Sequence, residues 1–165
     1  MRILGVDPGS RRTGFGILDD RAGRPVYVAC GVVSSLSGTM PERLHRIFAG
    51  LGEVITEYQP EVCAVERVFL ARNADSALKL GQARGAALVA LARAGLAIHE
   101  YTALQIKKAV VGVGHADKGQ VQHMMRALLG LSAVPSPDAA DALASALCHL
   151  YHWQGEEAQL HATRS

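Results

Sequence analysis

A chain of 165 residues, 49% of them hydrophobic, is long enough to fold as one domain around a core that needs no disulfide or metal. Its 17 lysines and arginines against 15 acids leave a formal charge of +2, too small by itself to indicate a polyanionic partner. The apolar stretch before Asp7 is too short for a signal peptide, and no run approaches the roughly 18 apolar residues of a membrane span. We therefore expect a single soluble domain, residues 1–165, with no membrane partner and a frayed tail from about residue 154.

Three segments near the N-terminus have the composition of strands. Residues 2–7, 14–19 and 25–33 are rich in aliphatic residues and are separated by turn-forming sequence. Such close spacing favours an antiparallel meander. The first segment ends on Asp7, which either caps the Pro-Gly turn that follows or has a chemical role.

Helices and strands alternate over the rest of the chain. Apolar periodicity and capping residues predict helices at 41–58, 74–94, 103–111, 117–129 and 136–153, and strands at 61–66 and 96–101. This order predicts an α/β fold, a mixed sheet of about five strands with helices on both faces. Ligands of such sheets bind at the carboxyl ends of the strands, and Asp7 and Glu66 each end a predicted strand.

Small residues recur every four positions in the helix predicted at 74–94. They are Ala77, Gly81 and Gly85. Each glycine inside a helix costs about 1 kcal/mol relative to alanine, so the stripe predicts close approach of another backbone. That backbone is either the sheet or a partner subunit.

Acidic residues stand at three separated places next to apolar sequence. Asp138 and Asp141 share a helix face, although the first-turn position of Asp138 also suits the helix dipole. If that helix packs beside the first strand, these residues meet Asp7 and Glu66. At about 4 Å and an effective dielectric near 20, each like-charge pair costs on the order of 4 kcal/mol, so such a cluster needs cations.

The chemistry of an oxygen-only cluster favours hard divalent ions. Mg²⁺ is the first expectation and Mn²⁺ the second. Two ions about 3.5 to 4 Å apart are a standard solution for hydrolysis of a phosphodiester. Setting the four acids aside leaves 11 others against 17 basic residues, or +6, for the remaining surface.

The cysteines and histidines indicate no other metal chemistry. The chain has three cysteines, Cys30, Cys63 and Cys148. Their odd count and the absence of any metal-ligand spacing among them predict free thiols and a cytoplasmic location. No HExxH motif is present, and His149 and His152 are interpreted as a helix face.

Four blocks of the sequence, in order, carry a family resemblance. ILGVDPGSRRTGFGIL, AVERVFLARNADSALKLGQARGAAL, VVGVGHADKGQVQHM and PDAADALASAL are similar to the RuvC family of Holliday junction resolvases, in the ribonuclease H-like superfamily. The match extends to about His152. The resemblance implies a five-stranded sheet, three antiparallel strands and then two parallel ones. It also implies a homodimeric endonuclease of recombination and repair that makes paired, symmetric nicks in strands of like polarity at a four-way DNA junction, leaving 5′-phosphate and 3′-hydroxyl ends. RuvA and RuvB, the branch-migration proteins, are the implied partners.

The resemblance also assigns roles to individual residues. It implies metal ligation by Asp7, Glu66, Asp138 and Asp141, with two Mg²⁺ ions per active site. Lys107 and Lys118 match family positions of catalytic lysines near the scissile phosphate. Without the resemblance, both lysines would be interpreted as part of a solvated helix face. DNA contacts are implied for Phe69, Arg72, Asn73 and Arg84: base stacking by Phe69, unless it anchors a loop, and phosphate contacts by the others. The helix with the small-residue stripe is the implied dimer interface.

Three alternatives remain open at the level of the whole protein. The DPGSRRTG hairpin also resembles the phosphate loop of actin-like ATPases and sugar kinases, which would make activity depend on ATP. A shorter, YqgF-type resolvase relative opens similarly, although the second block favours RuvC. A junction-binding protein without catalysis would bind DNA and show no Mg²⁺-dependent nicking.

Overall fold

The structure is a computed structural model that describes residues 1–67, 73–112 and 117–162, without the side chains of 118, 156–158 and 160–162. Within these residues one sheet contains the strands β1 (Arg2–Asp7), β2 (Arg12–Arg21), β3 (Arg24–Ser34), β4 (Val62–Arg67) and β5 (Ala97–Thr102). The helices are α1 (Met40–Tyr58), α2 (Ala74–Arg93), α3 (Ala103–Val111), α4 (Lys118–Leu129) and α5 (Pro137–Ala162). The strand order is β3-β2-β1-β4-β5, with the first three strands antiparallel and β1, β4 and β5 parallel. The predicted mixed sheet is confirmed.

Helices cover both faces because the central strands alternate their side chains. In β1, Ile3 joins the core under α3, α4 and α5, whereas Leu4 and Val6 join the core under α1 and α2. Neighbouring β4 repeats the pattern, with Ala64 on the α5 side and Val65 on the other. Asp7 and Glu66 follow in the same alternation and belong to the α5 side.

Glycines bring α5 unusually close to the sheet. A Cβ at Gly5 would overlap the carbonyl oxygen of Ala142 and come within 2.8 Å of the Ala146 nitrogen. A Cβ at Gly14 would overlap the carbonyl oxygen of Asp138. The backbone of α5 therefore lies directly on β1 and β2, and its first turn lies at Gly14, the register partner of Asp7.

Bulky aliphatic side chains separate the opposite face from its helices. Ile47, Leu51 and Val54 of α1 are buried against this side of the sheet. A capping box at Thr39 and Glu42 starts α1, and the Thr39 nitrogen donates to Glu42 Oε2 at 2.7 Å.

Several predicted element ends differ from the structure, including both ends of β2, and two of these differences concern the site and the C-terminal tail. Strand β4 ends at Arg67, so Glu66 is its penultimate residue. Helix α5 continues past Trp153 to Ala162. Beyond that predicted end, Gln154 Nε2 donates to the Gly23 carbonyl at 3.0 Å and attaches the helix to the β2–β3 hairpin, a contact with no local sequence signal.

The small-residue stripe of α2 does not pack on the sheet. No atom would lie within 4 Å of a Cβ added at Gly81 or Gly85. The sheet alternative for the close backbone approach is therefore excluded at these two positions. Among the described helices, none combines the length and apolar character that crossing a bilayer requires.

Candidate active site

Two carboxylates stand side by side at the carboxyl ends of parallel strands. The register pairs Gly5 with Ala64 and Val6 with Val65, and the next positions are Asp7 and Glu66. Both are half-buried. The predicted convergence of these two strand ends is confirmed.

Helix α5 adds a third carboxylate from the far end of the sequence. Ser136 begins the helix: its side-chain oxygen accepts from the Ala139 nitrogen at 3.4 Å and its carbonyl oxygen from the Ala140 nitrogen at 2.8 Å. Because glycines let the helix lie on β1 and β2, Asp141 reaches the end of the sheet beside Asp7.

One cavity of about 240 Å³ collects these groups. It is lined by Asp7, Glu66, Ala103, Ile106, Lys107, Val121 and Asp141. Asp138 does not line it and faces the adjoining cleft instead. The structure therefore gathers three of the four predicted carboxylates around one space and leaves the fourth at its border.

The donor set of the cavity suits a hard divalent cation, since its acidic groups supply only oxygen atoms. Among the described residues that line the cavity there is no cysteine or histidine, so they offer a soft or borderline metal no matching ligand. Among the described residues, however, no three His, Cys, Asp or Glu side chains form a ready-made metal-binding group. The carboxylates that line the cavity therefore fit Mg²⁺ by the chemistry of their oxygen atoms, without forming a ready-made site.

Lys107 is carried into the cavity wall by α3. Thr102, the last residue of β5, caps α3: its hydroxyl accepts from the Gln105 nitrogen at 3.2 Å. Ile106 is buried against the core and fixes which face of the helix turns inward, so half-buried Lys107 next to it lines the cavity. A cation at this position lowers the repulsion among the carboxylates.

Lys118 begins α4, one turn before Val121 of the cavity wall. Asp117 caps this helix, accepting at Oδ1 from the Gln120 nitrogen at 2.8 Å, as the sequence predicts. The Lys118 side chain lies outside the described part, so its catalytic role stays a prediction.

Comparisons with known proteins identify the family. The family model for crossover junction endodeoxyribonuclease RuvC matches residues 3–149. A protein named crossover junction endodeoxyribonuclease RuvC from Geobacter sp. (strain M21) is 56% identical, over 99% of this chain and all of that protein. The chain belongs to the RuvC family.

Solved structures agree with this assignment. T. thermophilus RuvC in complex with a Holliday junction substrate shares 40% identity with a TM-score of 0.85, covering 94% of this chain and 96% of that chain. The yeast mitochondrial Holliday junction resolvase has 12% identity and a TM-score of 0.65, over 96% of this chain and 83% of that one, and is similar in fold alone. The predicted ribonuclease H-like fold of the RuvC family is confirmed.

The DNA contacts predicted from the RuvC resemblance are placed only in part. Phe69 and Arg72 lie outside the described residues. Asn73 caps α2, its Oδ1 accepting from the Ser76 nitrogen at 2.9 Å. Arg84 forms an ion pair with Glu100 of β5, which also lies 3.6 Å from Arg67. Neither contact tests a role in DNA binding, so the roles of Asn73 and Arg84 stay predictions.

Sequence reasoning missed a buried polar pair, Tyr101 and His149, whose tyrosine lies next to Glu66 in the sheet. Tyr101, the register partner of Glu66, makes a hydrogen bond of 2.8 Å between its hydroxyl and Nδ1 of His149 on α5. Burial lowers the pKa of His149 to about 4, and the neighbouring His99 and His152 add to the effect. Interpreting His149 as a helix face overlooked this contact, whose only signal was a histidine on an otherwise apolar helix face.

Proposed function

We propose that the chain is a structure-selective endonuclease that resolves four-way DNA junctions in homologous recombination and repair. In this proposal it makes paired, symmetric nicks in strands of like polarity and leaves 5′-phosphate and 3′-hydroxyl ends. The observation that carries the proposal is the cavity at the carboxyl ends of β1 and β4, where Asp7, Glu66, Asp141 and Lys107 meet. Support comes from the RuvC family membership and from a relative solved with a Holliday junction.

The carboxylates of the cavity would hold two divalent ions, Mg²⁺ or in its place Mn²⁺. When bound, such ions activate a water molecule and stabilise the leaving oxygen of a phosphodiester. Asp7, Glu66 and Asp141 are the ligands that the cavity supplies, with Asp138 at its border. Lys107, and Lys118 in the proposal, stabilise negative charge that develops on the phosphate.

We further propose a homodimer formed through α2. Leu78 and Val89 are 63% and 59% exposed on this helix, and Gly81 and Gly85 between them have open space around them. An exposed apolar stripe with small residues suits a two-fold partner that approaches closely. Two equivalent sites would then face two strands of the junction.

Partners and location complete the proposal. RuvA and RuvB, as branch-migration proteins, would deliver the junction. The three cysteines are free, as the sequence predicts. Free thiols suit a reducing compartment, which supports the proposed cytoplasmic location.

The decisive experiment incubates the protein with a labelled four-way junction and Mg²⁺, beside Asp7→Asn. We expect paired nicks by the parent, and junction binding without nicks by the variant, because the amide replaces a charged ligand oxygen. Asp20→Asn is the matched control, since Asp20 lies at the opposite end of β2, where its side chain accepts from the Gly23 nitrogen at 2.8 Å. This control should cut like the parent.

Each contrary result has a definite meaning. Unchanged cutting by Asp7→Asn would remove the role of that carboxylate, and equal cutting of linear duplex would remove junction selectivity. Junction binding by the parent without any Mg²⁺-dependent nicking would establish the binding-only alternative. Cutting that requires ATP would favour the ATPase-like alternative.

A further inference from the structure

A second cleft adjoins the carboxylate cavity at the start of α5. It has a volume of about 450 Å³ and is lined by Gly9, Ser10, Arg11, Arg12, Leu36 and Asp138. Asp138 is three residues before Asp141, so the first turn of α5 forms the border between the two spaces. A strand of DNA whose phosphate enters the cavity would have this cleft beside it.

The loop that forms the cleft is held by buried polar side chains. The Thr13 hydroxyl donates to the Gly9 carbonyl at 3.2 Å, and the Ser35 hydroxyl donates to the Ser10 carbonyl at 3.3 Å. Both Thr13 and Ser35 are fully buried. Arg43 of α1 donates to the Ser35 carbonyl at 2.8 Å and to the Ser10 carbonyl. These hydrogen bonds hold the loop backbone in one conformation, so little conformational entropy of the loop is lost when a ligand binds.

Most arginines that the structure describes are engaged by other protein groups. Carboxylates hold Arg2, Arg21, Arg67 and Arg84, backbone carbonyls hold Arg43 and Arg46, and the Phe48 ring holds Arg93. Arg11 and Arg12 are exposed, and no ion pair or side-chain hydrogen bond joins either of them to a residue in the described part of the chain. Two adjacent arginines, one at the end of this loop and one at the start of β2, thus have side chains without partners in the described part of the chain, at the edge of an acidic site.

We propose that Arg11 and Arg12 bind backbone phosphates of the cleaved DNA strand, next to the phosphate that enters the carboxylate cavity. The inference rests on the proposed function and adds a positioning site to it. A cavity lined by carboxylates repels a polyanion, and two guanidinium groups carried by a held backbone at its border offset that repulsion where the strand must pass. Guanidinium groups bind phosphate oxygens in a bidentate geometry, and contacts of this kind set the register of the strand on the protein.

The first test measures equilibrium binding of a labelled four-way junction as a function of salt, without divalent metal so that no cutting occurs. The variants are Arg11→Gln, Arg12→Gln and the double variant. We expect each single substitution to weaken binding about tenfold and to lower the slope of log K against log salt by about 1, and the double variant by about 2.

Arg24→Gln is the matched control. Arg24 is also exposed and begins β3, where it pairs with Arg21 at the other end of the same hairpin, about 30 Å along the strands from Arg12. This variant changes the net charge by the same amount and should keep the parent's slope. Slopes of Arg11→Gln and Arg12→Gln equal to that of Arg24→Gln would overturn the proposal.

The second test locates the contact. Single phosphates near the cut site of the junction are replaced, one at a time, by uncharged methylphosphonates. In the parent we expect one or two flanking positions at which the replacement weakens binding, and in the double variant the loss at those positions should disappear. A loss that persists unchanged in the double variant would overturn the assignment to Arg11 and Arg12.

The two proposals fail separately. A parent that binds the junction with the expected slope changes but makes no nicks with Mg²⁺ would reject the nuclease function and keep the phosphate site. A parent that nicks with Mg²⁺ while the arginine variants bind like Arg24→Gln would keep the nuclease function and reject the site. A parent that does not bind the junction would reject both.

Discussion

The two faces of the sheet are packed by different means. On the α5 side, glycines in β1 and β2 let helix backbone contact strand backbone, and many buried residues of the helix are alanines. On the α1–α2 side, Leu4, Val6 and Ile17 meet large side chains such as Ile47 and Leu51. Every carboxylate predicted for catalysis lies at the end of the closely packed side.

The α5 side of the sheet positions the carboxylates, whereas the α1–α2 side contributes mainly to the stability of the fold. Side chains of Leu and Ile fill space and contribute burial energy, yet they adjust by rotamer changes when a neighbour moves. Backbone against backbone has no such adjustment, so the height of α5 above β1 is fixed by the absence of a Cβ. The distance between Asp141 and Asp7 depends on that height.

The largest effect is expected where the close contact is removed. Gly5→Ala places a Cβ against the Ala142 carbonyl and the Ala146 nitrogen, which are backbone atoms that cannot rotate away. We expect α5 to shift, the free energy of unfolding to fall by about 3 kcal/mol, and junction cutting to fall about a hundredfold per folded molecule. Urea unfolding and cleavage assays measure the two effects. Full cutting activity in Gly5→Ala would show that helix height does not control the site.

An intermediate effect is expected from the polar pair on the same face. Burial lowers the pKa of His149 to about 4, whereas an unfolded histidine titrates near 6.5. Between these values the unfolded chain binds a proton that the folded chain does not, so stability is complete above pH 6.5 and falls as the pH drops towards 4. The full loss is on the order of 3 kcal/mol.

Urea unfolding from pH 7.5 to 4.5 measures this dependence, and His149→Gln should lose that part of it because it cannot titrate. His45 is exposed on α1, on the opposite side of the sheet, and His45→Gln is the control that should keep the loss at low pH. An acid response in His149→Gln equal to the parent's would assign the loss to other groups.

The smallest effect on stability, and one of opposite sign, is expected in α1, on the other side of the sheet. Gly52 lies inside α1, and an added Cβ would meet no atom within 4 Å. Gly52→Ala should therefore raise the free energy of unfolding by about 0.5 to 1 kcal/mol through the helix preference of alanine, without changing cleavage. Destabilisation by this substitution would mean that the space beside Gly52 is not open to an added methyl group.

The sequence predicts best where local pattern and strand polarity suffice. The span of β1 follows from a hydrophobic run, the start of α4 from its capping residue Asp117, and the meeting of Asp7 with Glu66 from parallel strands. Family resemblance supplied the pattern of three antiparallel strands and then two parallel ones, whereas the order β3-β2-β1-β4-β5 comes from the structure alone.

Other features depend on contacts between distant segments. Helical spacing puts Asp138 and Asp141 on one face, but the way α5 crosses Gly14 decides that they line different spaces. Arg43 is 33 positions from the Ser10 carbonyl that it binds, so no local signal marks the loop as rigid. Tyr101 and His149 are likewise joined across 48 positions.

Helix α5 follows every strand in the chain order and yet rests on the first one. A ribosome therefore finishes the sheet and both of its acidic strand ends well before the segment that completes the carboxylate cavity can dock. Until then the nascent polypeptide has Asp7 and Glu66 without Asp141, so the carboxylate cavity is incomplete. In the proposed mechanism hydrolysis therefore needs the complete helix α5, and we expect a chain that terminates before Asp141 to make no nicks.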